Sequence, residues 1–176
     1  MKKINKPIRE NVNPFYQFYM DQVPDDGNLL THLSSILTES KQLINTLSEE
    51  KLNYRYAPGK WTIKDILVHL SDCERVIIYR AMRMARTDKT NLPGFDENLF
   101  AENANAGDRK LVDIFEELSA FRAASITFIK TLSDEELDRV GTANNFPLSA
   151  RILVNHVYAH HHHHLKIIRD RYLTAD

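Results

Sequence analysis

The sequence predicts an all-α protein: a four-helix bundle with a long crossover and short accessory helices. Two observations carry this. Proline and glycine, which cost about 3 and 1 kcal/mol inside a helix, fall in clusters that leave four long intervals free of both. Each interval carries one apolar stripe at the period of an amphipathic helix, and no stretch sustains the two-residue alternation of a half-buried strand, so strands are not expected. Four such helices in one small domain bury their stripes most simply against one another.

The intervals run from Asn28 to Ala57, Lys60 to Leu92, Asp108 to Val140 and Leu148 to Asp176. Ahead of them, residues 1–27 form an N-terminal arm; residues 28–176 form the single bundle domain. The arm carries Phe15, Tyr16, Phe18 and Tyr19 behind Asn13 and Pro14, a helix cap and first-turn pair, so it is expected to pack on the bundle. Leu29, Leu33, Ile36, Leu37, Ile44 and Leu47 form the first stripe. In the second interval Ile63, Ile66, Leu67, Leu70, Ile77, Ala81 and Met84 do so, with Trp61 or Thr62 at the start. The crossover from Ala85 to Gly107 leaves room for a short helix over Phe95 to Asn103. Asp108 offers the N-cap of the third helix, whose stripe runs from Leu111 and Ile114 to Phe128 and Leu132. Ser133 with Glu136 forms a capping box for an extra turn. The fourth stripe is Ile152, Leu153, His156, His160, His164, Ile167 and Ile168.

Composition excludes several classes of function. The 176 residues are 43% hydrophobic and 27% charged, the balance of a globular protein. The longest apolar run, Val76 to Tyr79, is far below the ~18 residues of a membrane-spanning helix, and no secretory signal follows Met1. One cysteine, Cys73, excludes an internal disulfide framework, and the cytoplasm is the expected compartment. Basic and acidic residues number 23 and 24 and are interspersed, so neither nucleic acid nor a membrane surface is an expected partner.

Seven of the eight histidines lie in the second and fourth intervals, and His160 to His164 are consecutive. The helical period continues through Leu165 to Tyr172, so the tract belongs to the helix and is not a terminal tag. Five successive helical residues turn through more than a full circle, and only a subset can face the core. His160 and His164, four apart, stand one above the other and can grip one cation, and His156 continues the column. His69 lies among apolar neighbours of the second helix. If the second and fourth helices are adjacent, His69, His160 and His164 make a three-nitrogen face with open positions, the arrangement of a catalytic metal site. Other roles are open to the neighbours. Asp72 and Glu74 can orient a ligand or pair with arginine, and Cys73 can approach the metal or fill space. Arg75, Arg80, Arg83 and Arg86 can pair with acids or receive an anionic substrate.

The stretch from Tyr56 through Trp61 and His69 to Arg75 resembles the tryptophan-to-histidine segment of the DinB/YfiT-like proteins. Leu92 to Glu97 resembles the segment that follows it. Ala159 to Leu173, with His160, His164, Arg171 and Tyr172, resembles the family's closing helix. The likeness spans about Tyr16 to Leu173. It implies a four-helix bundle of the DinB/YfiT-like type, commonly a homodimer, holding a divalent metal, zinc or nickel, on His69, His160 and His164. Ala159, where glycine is common, and His161 and His162 depart from the family's pattern and leave open a register through His156 or His163. The resemblance further implies a metal-dependent hydrolase, or a transferase using a low-molecular-weight thiol such as bacillithiol, mycothiol or glutathione, acting on a small electrophilic molecule. A bound metal serves both, lowering the pKa of water to about 7 or deprotonating a thiol. A non-catalytic metal-binding or interaction protein is the alternative. The sequence assigns no catalytic residue beyond the metal ligands.

Overall fold

A computed structural model describes residues 2–9 and 12–173. Its helices are α1 (Pro14–Met20), α2 (Leu29–Ile44), α3 (Glu49–Leu52), α4 (Ile63–Ala85), α5 (Glu97–Asn103), α6 (Leu111–Thr131), α7 (Asp134–Asp138) and α8 (Ala150–Ile167). Helices α2, α4, α6 and α8 form the bundle; α4 packs on α8 and α6, and α2 packs on the same two. The bundle order is therefore α2, α6, α4, α8, with the chain crossing diagonally from α2 to α4 and again from α6 to α8. Helix α1 lies against α8, as its aromatic face requires.

Local chemistry explains where the helices start. The Asn13 side chain accepts from the Phe15 N–H, with Pro14 in the first turn. Thr62 caps α4 in a reciprocal box: the Asp65 N–H donates to Thr62 Oγ1 at 3.0 Å and the Thr62 N–H to Asp65 Oδ2 at 2.9 Å. Ser133 and Glu136 do the same for α7. Ser149 caps α8, accepting from the Ile152 N–H.

Several expectations are corrected. The first interval is broken after Ile44: Leu47 lies outside α2, and Ser48 caps the separate α3. Asp108 is not the cap of α6. Asn105 adopts a left-handed conformation (φ 49°) and Ala106–Asp108 close a tight turn, which delays the helix to Leu111 behind Lys110. The fourth helix begins at Ala150, within its interval and ahead of the stripe at Ile152, and its last turns, Ile168–Tyr172, widen into a π-helix; the final positions of that interval, 174–176, lie outside the described residues.

A small sheet is also present, against expectation. Strand β1 (Asn91–Leu92) pairs in parallel with β2 (Val140–Ala143), which pairs antiparallel with β3 (Phe146–Ser149). Strands of two to four residues are too short for alternation to show. The signal available was Asn144-Asn145, both at positive φ (50° and 66°), the requirement of a tight two-residue hairpin turn. Gly141 lets β2 lie directly on α4: a Cβ there would meet Met84 Cγ at 2.7 Å.

The apolar core has two parts. One gathers the start of α2, the end of α4 and the start of α8, including Leu33, Ala81 and Leu153; the other gathers the end of α2 and the starts of α4 and α6, including Ile44, Leu67 and Leu118. Between them lies a buried polar layer. Arg122 holds Glu74 through Nε and Nη2 at 2.8–3.0 Å, donates to the Leu33 carbonyl at 2.6 Å, and reaches His161 Nδ1 at 3.1 Å. Ser40 Oγ donates to the Ile36 carbonyl, so the proton of the 2.8 Å contact between His161 Nε2 and Ser40 Oγ comes from the imidazole. His161 is thus neutral with its hydrogen on Nε2, and every member of the layer is satisfied. Burial is the main cause that holds its pKa well below the ordinary value.

Candidate metal centre

Beside this layer, α4 and α8 bring three imidazoles together. His69 Nε2 lies 3.1 Å from His160 Nε2, and His164 Nε2 lies 3.1 Å from the same atom. Among the described residues, His69, His160 and His164 form a cluster whose ligand atoms all fall within 4.8 Å of one another. The helical step of four stacks the α8 pair, and the close α4–α8 packing supplies the third ring.

Proton bookkeeping decides what such a cluster can hold. Burial pushes the pKa of His69 down to about 4 and that of His164 to about 3, and lowers His160 well below the ordinary value. All three rings are neutral at pH 7. His160 Nε2 has either one proton or one lone pair, so hydrogen bonding satisfies only one of its two 3.1 Å contacts well. The other stays unmet, and His164 Nδ1 is buried without a partner. Imidazole nitrogens about 2.1 Å from a shared ion stand about 3.0–3.4 Å apart, which matches the observed spacing. The donor set is compatible with a divalent cation.

The surroundings sort the remaining candidates. Cys73 Sγ lies 3.5 Å from His69 but outside the cluster, and burial pushes its thiol up to about 12, so it is a protonated packing group. Glu74 turns into the polar layer with Arg122, and Asp72 faces Arg75. His156 stands beside His160, with ring centres 5.6 Å apart, and its Nδ1 is buried without a partner; burial holds its pKa at about 3. His163 lies at the cavity wall, its ring against Phe18, Tyr19 and His164. Neither His156 nor His163 enters the three-histidine cluster.

A cavity of about 310 Å³ opens on the histidines. Trp61 stands over it, its ring 4.5 Å from His69 and stacked on His164 at 6.2 Å. The Tyr172 hydroxyl donates to the Trp61 carbonyl, tying the widened end of α8 to the loop that carries the tryptophan. Tyr16 and Tyr19 of α1 set their edges on His156, and Phe95 and Glu97 close the far side. Sequence reasoning did not assign these walls to a site. The aromatic spacing of the arm was the available signal. A larger groove of about 900 Å³ lies elsewhere, beside Arg151, Asp134 and Asp138, whose charges pair with each other.

Residues 32–168 match the model of the DinB superfamily. The chain belongs to that superfamily. Among its relatives, a protein of Oceanobacillus iheyensis named "Putative metal-dependent hydrolase" is 24% identical over 151 residues, 84% of this chain and 85% of that one. One of the same name from Geobacillus thermodenitrificans is 20% identical over 134 residues, 76% of this chain and 75% of that one. Among solved structures, YfiT from Bacillus subtilis superposes with a TM-score of 0.73 at 18% identity, covering 94% of this chain and 91% of that chain. It is described as a "probable metal-dependent hydrolase with an unusual four-helix bundle topology". The superposition places this DinB chain in the same fold.

Proposed function

We propose that this chain is a metal-dependent hydrolase of a small electrophilic molecule, with one divalent cation, zinc or nickel, held by His69, His160 and His164. The convergence of three neutral imidazoles at the floor of a cavity supports this reading. A divalent cation supplies Lewis acidity there, drawing the pKa of water toward about 7 and polarising the bond to be broken.

The chain's own residues do the rest. Trp61 covers two of the rings and narrows the access of bulk water. Tyr16, Tyr19 and Phe95 give the substrate an aromatic wall. His156, neutral and buried beside His160, completes the inner wall of the same cavity.

Elemental analysis of the purified chain tests the site. The wild type carries about one cation per chain and His69→Ala and His160→Ala lose it; full metal in both variants overturns the ligand set. The loaded protein is then assayed against an ester panel, alone and with low-molecular-weight thiols. Hydrolysis without thiol supports the proposal. Turnover only with a thiol replaces water by thiolate as the nucleophile, and bound metal without turnover makes the chain a metal-binding protein.

A further inference from the structure

Three arginines are buried among the described residues, and two of them hold carboxylates. Arg122 grips Glu74, and Arg151 grips Asp134 and Asp138. The third, Arg80, is only 8% exposed and has no carboxylate within ion-pair distance among the described residues. Its helix neighbours differ: Arg75 pairs with Glu117, Arg83 with Asp88 and Arg86 with Glu136. Among the described residues Arg80 has one hydrogen bond, from Nη2 to the Pro93 carbonyl at 2.6 Å, and its guanidinium lies 5.8 Å from the Phe95 ring centre.

A guanidinium stays charged in a protein, and a buried charge without a paired counter-ion is unfavourable. Arg80 lines the same cavity as the three histidines. Eleven residues separate it from His69, three helical turns, which returns both to one face of α4 about 16 Å apart along the axis. The histidines and the arginine therefore mark two ends of one cavity, with aromatic rings between them.

We propose that Arg80 is an anion subsite and that the substrate carries a carboxylate at the end remote from its electrophilic centre. This rests on the three histidines marking the reacting end. One guanidinium edge matches one carboxylate in a two-point contact. Glu97 lines the same cavity without pairing with Arg80, and its carboxylate repels a dianion about twice as strongly as a monoanion, so a single carboxylate fits better than a phosphate dianion.

Equilibrium binding tests this without turnover. Trp61 is the sole tryptophan and lines the cavity, so its fluorescence reports occupancy. Linear dicarboxylates from succinate to suberate are titrated beside their mono-amides, which lack the second charge. In the metal-loaded wild type, at least one dicarboxylate binds about tenfold or more tightly than its mono-amide, the strength of a charge-assisted contact. Arg80→Met abolishes that preference, and Glu97→Gln enhances it by removing a like charge. Equal binding of every dicarboxylate and its mono-amide to the wild type overturns the subsite, even should Arg80→Met fail to fold. Metal content, measured on the same samples, separates this result from a failure of the histidine site: in a wild type without metal the comparison is a mono-amide against the corresponding diamide, and tighter binding of the mono-amide that Arg80→Met abolishes keeps the subsite and loses the hydrolase. A preference unchanged in folded Arg80→Met assigns the anion to another group and overturns the proposal.

Discussion

His69 and His160 stand with their Nε2 atoms 3.1 Å apart although 91 positions separate them in the chain. This contact joins the start of α4 to the middle of α8 and brings imidazoles from two distant segments to one side of the cavity.

A cation bound there stabilises the fold by mass action. At a hundred times its dissociation constant the gain is about 2.7 kcal/mol, which for a chain of this size raises the melting temperature by roughly 5–10 °C. Thermal unfolding with added zinc or nickel shows this rise, a chelator reverses it, and His160→Ala lacks it. A melting temperature indifferent to both metals in the wild type contradicts the site.

Acid acts on the metal-free chain through the same neutral rings. His69, at about 4, and His156 and His164, at about 3, are depressed below their unfolded value of 6.5. The unfolded chain therefore binds more protons, and stability falls as pH drops below about 6.5 and continues to fall toward 4 and 3, at up to about 1.4 kcal/mol per pH unit for each ring. Above pH 7 the three contribute no slope. Denaturant melts across this range show the acid limb, and His156→Leu makes it shallower.

The Glu74–Arg122 pair is fully enclosed, and its partners depend on each other. Arg122→Met leaves a buried carboxylate unpaired and costs about 3–5 kcal/mol. Adding Glu74→Leu restores part of that loss. A double-mutant cycle in urea measures the coupling; additive losses would show that the two side chains act independently.

Cys73 is protonated at neutral pH because burial pushes its thiol up to about 12. Iodoacetamide modifies it slowly in the folded chain and rapidly after denaturation. Cys73→Ala keeps the metal stoichiometry. Loss of metal in that variant would place the sulfur among the ligands.

The caps and stripes were legible because helix formation is local. Asn13-Pro14 and Ser133 with Glu136 each satisfy backbone groups within a few residues, and each appears where its own side chains demand; the start of α4 was legible as Trp61 or Thr62, and the structure sets it at Thr62 through a box closed by Asp65. The hairpin around Asn144-Asn145 was not read, since its strands are stabilised by β1 and by α4 beneath Gly141 rather than by their own pattern. Asp108 misled for a related reason: a cap-forming residue closed the preceding turn once Asn105 turned left-handed.

By itself the sequence determined the four helices and the column of His156, His160 and His164, because spacing along one helix is set by 3.6 residues per turn. Only the tertiary structure decided which histidines meet, which arginine is left without a carboxylate and which aromatic rings enclose the cavity. Those facts depend on the order of helices around the bundle, where α4 touches α8 and Glu74 turns inward to Arg122 while Arg80 lines the cavity. Packing of distant segments, driven by burial of their apolar stripes, set that order, and no local spacing encodes it.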